Sequence, residues 1–267
     1  MIELKSKWAL AKIGYKVGIK YRFHFIVSMI TVPLSVLIYY FLWKSVFSYT
    51  GQEVIRGFTL DGMVQYYVLS MIVGFFVWAD VDKWLSQDIR GGYVTGMLLQ
   101  PMSLLNQYLV FEIGINSLGI LIEMIPVFMI GFVFFGLKVA PLFNFAAFLL
   151  SVVLAFFLAF FVSWLIGLSA FWLQEISGIR RVKRTLMVFL SGGMIPLTFF
   201  PETIQKIFHF LPFEYIRYVP IKIYQAEYSP AMVFVQLGLQ LAWIVGLYLA
   251  CRFVYSKAYK EFVGVGT

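Results

Sequence analysis

Two carboxylates, Glu112 and Glu123, lie eleven residues apart inside an apolar run, close to three helical turns, so a helix puts both on one face. Two chemistries fit such a pair. Either they line a polar pathway, as carboxylates do in proton- and ion-coupled carriers, or they hydrogen-bond neighbouring helices and hold a bundle together. No cation stands inside another apolar run to partner them. The two histidines, His24 and His209, lie far apart, and the single cysteine, Cys251, excludes an internal disulfide framework or a cysteine zinc site. The chain has no Gly-x-x-x-x-Gly-Lys-[Ser/Thr] phosphate loop, no His-Glu-x-x-His helix and no Gly-x-Ser-x-Gly elbow. The expectation is a protein that is not an enzyme, with no metal site and no cofactor of its own. The densest polar tract is Asp88-Ile89-Arg90-Gly91-Gly92, running on to Leu99-Gln100-Pro101. It reads as a short helix stopped by a glycine pair, then a short amphipathic segment stopped by proline.

The elements that must position these residues are transmembrane helices. Hydrophobic residues make up 61% of the 267-residue chain and charged residues 13%, against about 45–50% and about 25% in soluble domains. Six apolar runs can be drawn, at 24–43, 62–80, 107–136, 143–173, 185–200 and 231–251. About 20 apolar residues cross the hydrocarbon layer as a helix, where backbone polar groups must be satisfied internally. The unbroken runs do not alternate as barrel strands would. Of 21 Lys and Arg residues, 15 fall in the N-terminal arm, the second and fourth connections and the C-terminal tail. Basic residues near span ends stay on the cytoplasmic side, which puts both termini and those two connections in the cytoplasm. The formal charge of +8 therefore points to anionic lipid and not to nucleic acid. No cleavable signal peptide is expected, because the first apolar run follows a charged arm and is long enough to be a permanent span.

The connections differ in character. In the arm, Met1 to Arg22, Lys5, Lys12, Lys16 and Lys20 share one helical face, and Leu10, Val17 and Tyr21 share a neighbouring one, with Ile13 between. That is the pattern of an amphipathic helix in the membrane interface. The fourth connection, Gln174 to Arg184, carries Arg180, Arg181, Lys183 and Arg184 and is the strongest orientation signal. The fifth run is short, carries Gly192, Gly193 and Pro196, and ends at Pro201. The stretch beyond it, with Pro212 and Pro220, is too short to cross and too apolar to be free in water, which suggests half-helices dipping into the external leaflet. The fold expected is all-α and integral to the membrane: six transmembrane helices, an N-terminal interface helix at 1–22, a cytoplasmic region at 81–105 and a re-entrant external hairpin at 201–230, in one domain over 1–267.

This organisation resembles the membrane subunit (permease) of ABC transporters of the type-2 exporter family. Asp88-Ile89-Arg90-Gly91-Gly92 through Leu99-Gln100-Pro101 resembles its glycine-then-proline coupling segment. Ser191-Gly192-Gly193-Met194-Ile195-Pro196-Leu197 through Pro201 resembles the Gly-x-x-x-Pro tract that introduces its external hairpin. The tract looks closest to a bacterial branch of small permeases. The resemblance implies an ATP-driven export permease in the bacterial cytoplasmic membrane, without a nucleotide site of its own. ATP and Mg would sit on separate ATPase subunits, and a second permease subunit, identical or homologous, would complete the conduit. It also implies ATPase coupling through Asp88, Arg90, Gly91, Gly92 and Pro101, and an amphipathic, lipid-linked or drug-like substrate. The alternatives are a non-transporting membrane scaffold and an ion-coupled secondary carrier.

Overall fold

The computed structural model describes residues 2–20, 22–119, 123–173 and 175–264. Met1, Tyr21 and Gln174 lie outside the described residues, as do the side chains of Lys5, Lys20 and His24. Among the described residues the α-helices are α1 (Ile2–Lys20), α2 (Arg22–Thr50), α3 (Leu60–Phe76), α4 (Val81–Arg90), α5 (Tyr93–Leu98), α6 (Leu104–Gly119), α7 (Ile125–Phe135), α8 (Leu142–Leu168), α9 (Ser177–Leu190), α10 (Glu202–His209), α11 (Tyr218–Tyr224) and α12 (Pro230–Gly264). The protein is all-helical.

Four stretches are long and apolar enough to cross a membrane: Ile30–Thr50, Leu60–Arg90, Leu142–Phe171 and Pro230–Lys260. Where the sequence places the third span, α6 is described as far as Gly119 and α7 begins at Ile125. Glu123 and Met124 form a wide π turn leading into α7, whose first turn holds Pro126, a residue that cannot donate an interior helical hydrogen bond.

The fifth run differs most from expectation. The helix there is α9, Ser177–Leu190, and not 185–200. At 14 residues it is about 21 Å long, short of the roughly 30 Å hydrocarbon layer. Its first two turns hold Arg180, Arg181, Lys183 and Arg184, which hydropathy assigns to a loop. It stops because Gly192 takes a left-handed φ of +78°. Tyr66 donates to the Gly192 carbonyl at 2.8 Å and Tyr67 to that of Met194 at 2.7 Å, holding the following segment out of helix.

The 201–230 stretch is two short helices of unlike exposure. On α10, Phe208 is buried while Ile204 and Ile207 face outward, as does Phe210 just beyond its end. Every residue of α11 is buried, against α8 and α3. Its apolar character is that of a core element. Polar ties fix it there: Asn144 of α8 donates to the Ile223 carbonyl at 3.0 Å, and Gln240 of α12 donates to the carbonyls of Ser151 and Tyr215. The main core joins α2, α3, α8, α11 and α12, and a second cluster joins α4, α6, α8 and α12.

Helix α1 lies lengthwise against α6. The two backbones meet at glycines: a Cβ on Gly14 would collide with the Phe111 carbonyl oxygen, and one on Gly114 with that of Ala11. Small residues allow this approach between helices in a membrane protein. The outward face of α1 shows Trp8, Lys12, Ile13, Tyr15, Lys16 and Ile19.

Candidate functional site

The site is built around the interruption between α3 and α4. At this interruption the Trp78 and Ala79 carbonyls and the Asp80 N–H are met by groups from three other helices. Asn116 of α6 donates to the Trp78 carbonyl at 2.6 Å. Ser163 of α8 and Lys183 of α9 donate to the Ala79 carbonyl at 3.1 and 3.4 Å. The Asp80 N–H donates to Oε1 of Glu112 at 2.6 Å. Glu112 is thus a buried acceptor at the start of α4, and its Oε2 has no hydrogen-bond partner among the described residues.

Helix α4 lies on the end of α8. Val81, Asp82, Leu85 and Ser86 are buried, and Gly167 allows the approach, since a Cβ there would stand 3.0 Å from the Asp82 Cα. Asp82 is sealed from solvent, with Oδ2 2.8 Å from Nζ of Lys183 and 3.4 Å from Nε of Arg180. Lys183 also donates to the Ser163 hydroxyl at 3.0 Å, and Arg184 pairs with Asp80 at 3.4 Å. The cations read from sequence as an orientation signal therefore anchor α9 onto α4. The two acids flanking Val81 and the basic run 180–184 were a complementary-charge signal that local pattern reading left unpaired.

Beyond α4 the chain reverses at Gly91 and Gly92, the latter left-handed at φ +74°. In α5, Val94 is buried, while Tyr93 and Leu99 stand 69% and 86% exposed on the outer face together with Gln87, Arg90, Thr95 and Gly96. The bend at Pro101 is held by Gln107, whose amide donates to the carbonyls of Met97 and Met102 at 2.9 and 2.8 Å.

The sequence-derived residues divide accordingly. Asp88 turns inward and accepts a hydrogen bond from Tyr108 of α6. Burial raises its pKa, and the Tyr108 hydroxyl partly offsets this. Arg90 faces outward and pairs with Glu175. The Ser177 N–H, and secondarily Arg90, hold the Glu175 carboxyl below its ordinary range. Gly91, Gly92 and Pro101 make the two bends of this segment. Glu123, part-exposed in the π turn, lies away from the contacts that Glu112 makes. Gly192, Gly193, Pro196, Pro201 and Pro212 lie in the turns between α9 and α11. Tyr108, Gln107, Asn116 and Ser163 were missed, because a single tyrosine, amide or serine on an apolar helix carries no pattern.

Among the described residues no group of three or more His, Cys, Asp or Glu is placed to hold a metal. The arrangement has the form of a surface-facing helix pair, α4 and α5, tied by buried charge and hydrogen bonds to α6, α8 and α9. No curated protein matches the chain. The family model described as ABC-2 family transporter protein matches residues 14–266, nearly the whole sequence, and the chain belongs to that family of ABC transporter permeases.

Proposed function

We propose that this chain is the membrane-spanning permease subunit of an ATP-driven exporter of the bacterial cytoplasmic membrane, with both termini cytoplasmic. Separate ATPase subunits bind ATP and Mg and dock on the α4–α5 pair. A second permease, identical or homologous, completes the conduit. The observation that carries this reading is the helix pair itself: an outer face of Arg90, Tyr93 and Leu99 around a glycine turn, on elements whose inner faces are fixed to the bundle. Exposed aromatic, aliphatic and arginine side chains on a rigid support are what a docking groove can grip.

Force on α4 would pass through Asp82 and Lys183 to α9, and from α9 through the Gly192 turn to the hairpin. That is a rigid-body route for rocking spans between inward- and outward-facing arrangements. Asp88 acts here as a positioning residue through Tyr108, and Arg90 as a contact. The apolar, aromatic surfaces of the spans suit an amphipathic, lipid-linked or drug-like substrate.

Affinity purification of the tagged full-length chain from its own membranes tests this. A nucleotide-binding ATPase should co-purify in stoichiometric amount, and Leu99→Glu with Arg90→Ala should lower its recovery by roughly tenfold or more. A stable complex free of ATPase would favour a scaffold. Transport driven by an ion gradient alone would favour a carrier.

A further inference from the structure

Arg217 follows the hairpin turn and precedes α11. Its guanidinium enters a slot between two glycines: a Cβ on Gly74 would stand 2.9 Å from Nη2, and one on Gly193 would stand 3.1 Å from Cδ. Among the described residues its hydrogen bonds are both with Ser70, the carbonyl at 3.2 Å and the hydroxyl at 3.5 Å. Among the described residues no carboxylate forms an ion pair with it. A largely buried cation that hydrogen-bonds a carbonyl and a hydroxyl, with the phenols of Tyr66 and Tyr39 nearby and no paired carboxylate among the described residues, is poorly compensated for its lost hydration.

Arg217 lines a small open cleft of about 50 Å³ between the end of α3, the inner face of α9 and the hairpin. Lys183, Arg184 and Asp80 also line it, and the remaining wall is largely apolar, with Val77, Trp78, Met187, Val188 and Ile216. The cations outnumber the acid. Asp80 is taken by Arg184, which also stacks over Trp78 at 4.8 Å, and Asp82 behind the wall is taken by Lys183 and Arg180. Arg217 is left over. Guanidinium recognises oxyanions through paired hydrogen bonds, and intramembrane ionisable residues mark ligand pathways more than they support packing.

We infer that this cleft binds the phosphate-type oxyanion of an amphiphile, with Arg217 holding the anion, Arg184 at its rim, and the apolar wall taking the attached hydrocarbon. That the amphiphile is cargo rests on the permease reading above. That it binds does not.

The test uses purified full-length protein in a neutral maltoside detergent, with short-chain phosphatidic acid as probe and bound lipid counted by native mass spectrometry. Wild type should bind it and should not bind the matching diacylglycerol. Arg217→Gln should weaken binding by roughly tenfold or more, and Arg217→Lys, which keeps the charge but loses the fork, by less. Arg184→Gln changes a half-exposed rim residue and should give a smaller loss with helicity unchanged. If Arg217→Gln does not fold, Arg217→Lys and Arg184→Gln decide the matter: wild-type affinity in both would overturn the site. Equal binding of the diacylglycerol, or wild-type affinity in a folded Arg217→Gln, would do the same. Displacement by inorganic phosphate at the lipid's own concentration would overturn the amphiphile and leave a free-anion site. ATPase co-purification is a separate readout, so loss of the pump and loss of the site are told apart.

Discussion

Nζ of Lys183 lies 2.8 Å from Oδ2 of Asp82, a carboxylate with no solvent exposure, and this pair fastens α9 to the helix that follows the break in the second span. Removing one member leaves the other buried without its main partner. Asp82→Ala is expected to destabilise the folded protein by about 3–5 kcal/mol. The double variant Asp82→Leu/Lys183→Met should be less damaging than the single one, and thermal unfolding in detergent would reveal the non-additivity.

Arg90 and Glu175 form an ion pair with both side chains about half exposed, 47% and 55%. Such solvent-screened pairs add little stability, so Arg90→Ala should leave thermal stability nearly unchanged. Its effect should fall on ATPase recruitment and on the coupling of hydrolysis to transport. A stability loss as large as that of Asp82→Ala would remove Arg90 from the docking role.

Gly92 and Gly192 both hold left-handed backbone, at φ +74° and +78°, but their surroundings differ. A Cβ on Gly92 meets nothing within 4 Å, so Gly92→Ala should cost only the backbone preference, about 1–2 kcal/mol. A Cβ on Gly192 would stand 2.7 Å from the Tyr66 hydroxyl, which donates to the carbonyl of that same glycine. Gly192→Ala should therefore be the worse of the two, and Tyr66→Phe should reproduce part of its loss by melting temperature.

Asp88 carries a pKa raised by burial, partly offset by the hydrogen bond from Tyr108. Folding then favours the protonated acid, so stability falls as pH rises from the unfolded aspartate value, roughly 4, to the raised folded one. Asp88→Asn keeps an acceptor for Tyr108 and should flatten that decline, while leaving stability below the window close to wild type. Melting curves across the acidic range would show it, and an unchanged slope would refute the assignment.

The orientation can be read by labelling, because Cys251 is buried and is the single cysteine. In a Cys251→Ala background, Leu99→Cys should react with an impermeant maleimide only in inside-out vesicles, and Phe210→Cys only in right-side-out cells. The reverse pattern would put the α4–α5 pair on the wrong side of the membrane for ATP.

Much of this protein was written locally in its sequence. Long apolar runs force helices because lipid offers no partner for backbone polar groups, so the helices around 30–50, 142–171 and 230–260 are legible from hydropathy alone. The reversal at Gly91 and Gly92 and the stop at Gly192 are likewise local, since left-handed backbone favours residues without a Cβ. The limits of α9 were not legible. A basic run reads as loop until its counter-charges are known, and those counter-charges, Asp80 and Asp82, come from a distant part of the chain. Nor was the role of Glu112, which depends on an unpaired N–H supplied by a break in another helix. Propensity and hydropathy sum over neighbours in sequence, so they fix which segments enter the membrane. Charge compensation and backbone satisfaction sum over neighbours in space, and only the packed bundle decided which acid met which cation and left Arg217 without one among the described residues.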